Sequence, residues 1–88
     1  MNNSISWFED FIIKVLKEAG HNIVAHDKKL ARGLGDIDII TEKNENKYCV
    51  EVKFSRVTEK AVERINYISS TYKMIPLLIT ATELKEKR

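Results

Sequence analysis

Three placements of charge set residues able to do chemistry against an apolar background. The first is Glu9. With Ile5 at zero on a helix, Leu16 falls at about 20°, Glu9 at about 40° and Ile13 at about 80°, so this carboxylate lies inside the apolar arc. Ser6 and Glu9 also have the S-x-x-E spacing of a capping box, a role compatible with a site role. The second placement is Asp36 and Asp38, which share one face of DIDIIT although aspartate is depleted inside strands. Asp36 after Gly35 fits a turn; Asp38, followed by Ile39 and Ile40, does not. The third is Glu51 with Lys53 on one face of KYCVEVKF, whose ordinary reading is a solvent-facing ion pair of little energetic worth. A hairpin with a four-residue loop over 43–46 pairs Glu42 with Lys47 and sets Asp38 opposite Glu51, with Cβ atoms about 5 Å apart. Like charges facing each other destabilise a sheet unless a cation lies between them. A hard divalent ion suits that position, because Mg²⁺ binds through one or two carboxylates plus waters.

The elements that must position these residues follow from periodicity. Residues 4–19 read as a helix with Ile5, Phe8, Phe11, Ile12, Val15, Leu16 and Ala19 at helical spacing and Gly20 as its stop. Residues 21–28, 36–41 and 47–54 read as strands, with a loop over 30–35 and a turn over 42–46. Thr58 caps a second helix running to Tyr72, with Ala61, Val62, Ile65, Ile68 and Tyr72 as its buried stripe. MIPLLIT, 74–80, reads as a strand covered on both faces, and the tail TELKEKR as a helical turn. The order is α-β-β-β-α-β, and the helix before the last strand implies a right-handed parallel crossover.

Composition bounds the answer. Eighty-eight residues hold one domain, 1–88, with 43% apolar and 32% charged residues, a globular balance. A net charge of +2 excludes a strongly basic tail-like nucleic-acid binder but allows a local basic patch. A single cysteine excludes an internal disulfide framework and four-ligand zinc sites built on cysteine pairs. No apolar run approaches the ~20 residues of a membrane span, and the N-terminus has no signal-peptide pattern. The expectation is a small cytoplasmic domain with no membrane association.

On these residues the sequence resembles the PD-(D/E)XK nuclease superfamily, with its restriction-endonuclease-like core. GDIDII at 35–40 followed by EVK at 51–53 is similar to the superfamily's spaced signature, and the resemblance covers nearly the whole chain. It looks most like archaeal Holliday-junction resolvases and YraN-like small nucleases, which also carry an acidic residue on the first helix, where Glu9 stands. The resemblance implies a minimal α/β fold, an α-β-β-β-α-β core whose mixed four-stranded sheet is flanked by helices. It implies a metal-dependent endonuclease acting on DNA, with branched DNA, Holliday junctions included, as the first substrate to test. Asp38, Glu51 and the main-chain carbonyl of Val52 would bind Mg²⁺ or Mn²⁺. Lys53 would orient or help deprotonate the attacking water, and Glu9 would complete the outer part of the metal site. The proline of the signature is absent, Ile37 preceding Asp38, and Asp36 stays a second candidate for the aspartate. The complete set Glu9, Asp38, Glu51 and Lys53 argues against a catalytically dead relative.

DNA contacts are expected from Lys28, Lys29 and Arg32 before the second strand, and from Ser55, Arg56, Lys60 and Arg64 after the third; each has a plain alternative as a solvated surface residue. His26 reads as a structural or site-edge histidine and Cys49 as a small packing residue. Trp7 and Phe8 exceed what a thin core absorbs and suggest a homodimer surface. Two rival readings keep the same residues: a non-catalytic module that binds nucleic acid or protein, and a structural α/β interaction domain with fortuitous acids.

Overall fold

In the computed structural model, which describes residues 6–30 and 35–81, six elements follow in order. They are α1 (Ser6–Glu18), β1 (Asn22–Lys29), β2 (Asp36–Lys43), β3 (Asn46–Lys53), α2 (Glu59–Tyr72) and β4 (Ile75–Thr80). Each strand pairs with the next in one four-stranded sheet, β1-β2-β3-β4. The first three are antiparallel, and β4 runs parallel to β3 after the α2 crossover. The expected fold class is therefore the observed one. Arg32 and the tail from Thr82 lie outside the described residues. Among the described residues no helix is long and apolar enough to cross a membrane.

Phe8, Ile12 and Leu16 recur every fourth residue and bury one stripe of α1 against Ile39 and Val50. The helix ends as Gly20 predicts. Gly20 takes φ 97°, its N–H bonds the Lys17 carbonyl and that of His21 bonds Leu16, the paired bonds of a Schellman motif. Phe11 and Val15, expected in the core, are exposed, because a single sheet face covers only the Phe8–Ile12–Leu16 stripe.

On the other face α2 buries Ile65 and Ile68 against Ile37, Ile40 and Cys49. Thr58 is its N-cap, accepting a hydrogen bond from the Ala61 N–H at 3.1 Å. Val62 and Tyr72, expected in its stripe, are substantially exposed, and Ser69 is buried instead. The buried arc is thus narrower than the apolar pattern, since the helix lies against a single small sheet. β4 does contact both cores, Leu77 and Ile79 on the α1 side and Leu78 on the α2 side. As an edge strand it stays half-buried rather than covered.

The β2–β3 turn corrects one expectation. Lys43 pairs with Asn46, so the loop has two residues, Asn44 and Glu45, with φ of 53° and 69°. Positive φ at both central residues is the twist that a two-residue hairpin turn demands. Shortening the loop symmetrically from four to two keeps Glu42 opposite Lys47.

Candidate functional site

The site lies at the other end of these strands. β2–β3 pairing runs from Lys43↔Asn46 to Ile39↔Val50, and the next residues on each strand are Asp38 and Glu51. The expected directly opposed pair does not form, since the ladder stops one residue short of it; the two acids lie just beyond its last pair, within electrostatic range of each other. Asp38 does not continue the ladder with its backbone alone: its carboxylate Oδ2 accepts the Val52 N–H at 2.8 Å. Ile37 and Ile39, two residues apart, would share a face on a regular strand. Here Ile39 joins the α1 core and Ile37 the α2 core. Alternation therefore slips at Asp38.

A matching slip occurs across the ladder. Between the pairs His26↔Ile39 and Lys28↔Ile37 the intervening residues are Asp27 and Asp38, and Asp27 has φ 56°. A further register shift lies between Ile23 and Ala25, with Val24 the extra residue. An extra residue turns every later side chain to the opposite face. Ile23 accordingly packs in the α1 core and Ala25 in the α2 core, so His26 returns to the α1 side. There its Nε2 lies 3.2 Å from Glu9 Oε1 and 3.8 Å from Asp27 Oδ2. Glu9 is mostly buried, as its place in the apolar arc implied, and its carboxylate partner is His26.

Glu51 meets α2. Arg64 Nη1 lies 3.4 Å from Glu51 Oε1, while Arg64 Nη2 donates to the Asp36 carbonyl at 2.7 Å. Gly35 makes this approach possible: at φ 85°, a Cβ there would stand 2.8 Å from Arg64 Nη2. The glycine of GDIDII thus clears space for the guanidinium beside the acids. Asp36 contributes its carbonyl to this arrangement and its side chain is exposed. Lys53 follows Glu51 on the same strand, and its carbonyl accepts the Ala81 N–H at 3.1 Å. The Thr80 hydroxyl donates to the Ser55 carbonyl, so β4 fastens the backbone on both sides of Phe54.

The electrostatics are unfavourable to the acids. Burial raises the Asp38 pKa, and the Glu9 and Asp27 charges raise it further, against the opposing Val52 hydrogen bond and Arg64. Burial also raises the Glu51 pKa, Asp38 adds to that, and Arg64 and Lys53 oppose it. Two half-buried carboxylates in mutual range are thus held where ionisation is costly. Oxygen donors of this kind suit a hard divalent cation, which would relieve that cost. Among the described residues, a group of three potential ligand atoms within 4.8 Å of one another is instead formed by Glu9, His26 and Asp27.

The expected nucleic-acid residues border this end of the sheet. Lys28 and Lys29 close β1 opposite Ile37 and Asp36, while Ser55 and Arg56 follow β3 and Lys60 lies in the first turn of α2; all are exposed. Trp7 is exposed and edge-on to Phe8 and Phe54, with centroids 5.7 Å away in each case, whereas Phe8 belongs to the core. Cys49 is buried, and burial raises its thiol pKa, in keeping with a packing role.

Sequence reasoning missed Asp27 and the pairing role of His26. Their signal is weak, because both depend on the Val24 bulge, which no residue type announces. Arg64 was expected as a phosphate contact and is found beside Glu51.

The profile of the uncharacterised protein family UPF0102 matches residues 8–82. No curated protein matches the chain.

Proposed function

We propose, from the premise that the chain belongs to the UPF0102 family, that it is a metal-dependent endodeoxyribonuclease. The observation carrying this reading is the pair Asp38 and Glu51, half-buried like charges with raised pKa values where the β2–β3 ladder opens. In this reading Asp38, Glu51 and the Val52 carbonyl hold Mg²⁺ or Mn²⁺, with Glu9 at the periphery. The ion, when bound, supplies an activated water and charge relief on the phosphate. The Val52 N–H fixes one Asp38 oxygen, which orients the other. Arg64 restrains Glu51 and draws the start of β2 towards it through the Asp36 carbonyl. Lys53 donates to the charge that grows on phosphorus oxygens in the transition state, or takes the proton of the attacking water.

Lys28, Lys29, Ser55, Arg56 and Lys60 would hold flanking phosphates of DNA, branched DNA being the first substrate class. A homodimer would extend the recognition surface; the exposed stripe Trp7, Phe11 and Val15 on α1 supports this. The proposed compartment is the cytoplasm.

A second reading rests on one observation. Asp38, Glu51 and Glu9 each have a protein partner, in Val52, Arg64 and His26, which is how a non-catalytic binding module would keep them. Incubation of the pure protein with labelled branched, duplex and single-stranded DNA separates the two. The nuclease reading expects cleavage with Mg²⁺ or Mn²⁺ that EDTA stops and that Lys53→Ala slows by about 10²–10⁴-fold. Equal behaviour of wild type and Lys53→Ala on every substrate contradicts it. Salt-dependent binding without cleavage, unaffected by Asp38→Ala, would establish the binding module.

A further inference from the structure

The α1–β1 side of the site carries a donor set of which the nuclease reading uses only Glu9, leaving His26 and Asp27 without a role. Glu9 Oε1, His26 Nε2 and an Asp27 carboxylate oxygen converge within 4.8 Å, and the Glu9–His26 separation is 3.2 Å. Around a cation with bonds near 2.1 Å, neighbouring donors stand about 3.0–3.4 Å apart, so this pair is already at ligand spacing. Asp27 completes the set with a small rotation of an exposed side chain, its Oδ2 lying 3.8 Å from His26 Nε2.

Three features of the chain build this convergence. The Val24 bulge turns His26 to the α1 side, and the left-handed backbone at Asp27 interrupts the strand beside it. Glu9 stands on α1 beside the buried stripe Phe8, Ile12 and Leu16, and its side chain is only 19% exposed. Glu9 and Asp27 are both within electrostatic range of Asp38, so the cluster is continuous with the other acids of the site.

We propose that Glu9, His26 and Asp27 form a second cation site, which takes a first-row divalent transition ion in preference to Mg²⁺. The imidazole decides the class of ion. Mg²⁺ demands oxygen ligands and dehydrates reluctantly, whereas Mn²⁺ and Zn²⁺ accept a neutral imidazole nitrogen beside carboxylates. Binding requires the tautomer with its lone pair on Nε2 and its proton on Nδ1. The alternative is a plain ion pair in which a protonated His26 bridges the two acids. The site does not depend on the chain being a nuclease.

Pulsed electron paramagnetic resonance of the full chain with Mn²⁺ tests this directly. The wild type is expected to show nitrogen modulation from a coordinated imidazole. His26→Gln should abolish that modulation and weaken Mn²⁺ binding about tenfold or more, and Asp27→Asn should weaken binding while keeping the modulation. Because His26 and Asp27 are exposed, both variants should keep the wild-type circular dichroism. Asp38→Asn should retain the nitrogen-coordinated ion, which separates this site from the one proposed on Asp38 and Glu51. Modulation that survives a several-fold excess of Mg²⁺ supports the stated preference. Absence of nitrogen modulation in the wild type, its survival in His26→Gln, its loss in Asp38→Asn, or its displacement by equimolar Mg²⁺ would each overturn the proposal.

Discussion

The two ends of the β2–β3 hairpin use the same strands for opposite purposes. At the turn Glu42 faces Lys47, opposite charges across the ladder next to a two-residue loop. At the open end Asp38 and Glu51 follow the last pair, Ile39↔Val50, and bring like charges together in a half-buried setting. The turn end follows the ordinary rule for cross-strand pairs, and the open end gathers like charges just beyond the last pair. A short domain with a thin core has little stability to spare, so a destabilising arrangement at the centre of its sheet points to function. The violation is concentrated: Asp27 adds a third carboxylate opposite Asp38, and both strands lose regular alternation at that level.

The largest expected contrast is catalytic. β3 carries a lysine at each end, Lys47 and Lys53. Under the proposed nuclease activity, Lys53→Ala should lose about 10²–10⁴-fold in rate, the usual worth of a proton-transfer group, while Lys47→Ala stays within about twofold. Equal losses would mean that the two ends do not differ in role.

The next contrast is in pH dependence. Asp38 and Glu51 have raised pKa values in the fold, so the native state binds protons more readily there than the unfolded chain. Stability from these two groups therefore grows as pH falls through their elevated values and is complete below the ordinary carboxylate range. At the turn end the sign reverses. His21, 2.8 Å from the Thr41 hydroxyl, has its pKa lowered by burial and by Lys43. Its contribution is lost as pH falls from the ordinary histidine value through the lowered one. In urea unfolding across pH, the stability gap between Asp38→Asn and wild type should be full near neutrality and close in acid. His21→Gln should instead remove a loss that begins at mildly acidic pH. A gap for Asp38→Asn that widens in acid would contradict the assignment.

The smallest effect tests the turn itself. Glu42→Lys sets two lysines across the ladder and should cost about 0.2–1 kcal/mol, with Lys47→Glu in the same chain restoring most of it. Denaturant midpoints at low salt measure both.

Much of this was legible in the sequence for stated reasons. Gly20 and Thr58 marked helix ends because a left-handed stop and a hydroxyl N-cap are local requirements. The level of Asp38 and Glu51 on the hairpin was legible because an even loop length keeps Glu42 opposite Lys47, whereas the slip at Asp38 that ends the ladder before them was not. The exposure of Val15, Val62 and Tyr72 was not legible, because helical period states which face is apolar but not how much sheet exists to cover it. The Glu9–His26–Asp27 convergence was hidden for a different reason: it depends on a bulge at Val24 that turns His26 to the α1 side.

The central claim is that ionising Asp38 costs stability and that a bound cation would offset this cost. Thermal unfolding of wild type and Asp38→Asn at neutral pH, with and without Mg²⁺, tests this directly. Asparagine can still accept the Val52 N–H, so the variant removes the charge and keeps the hydrogen bond. Without Mg²⁺ the variant should melt above wild type. With Mg²⁺ at a hundred times its dissociation constant, wild type should gain about 2.7 kcal/mol. At about 4–8 °C per kcal/mol for a domain of this size, the order of the two melting temperatures should invert. A wild type that melts higher without metal, together with equal Mg²⁺ shifts in both proteins, would contradict the account.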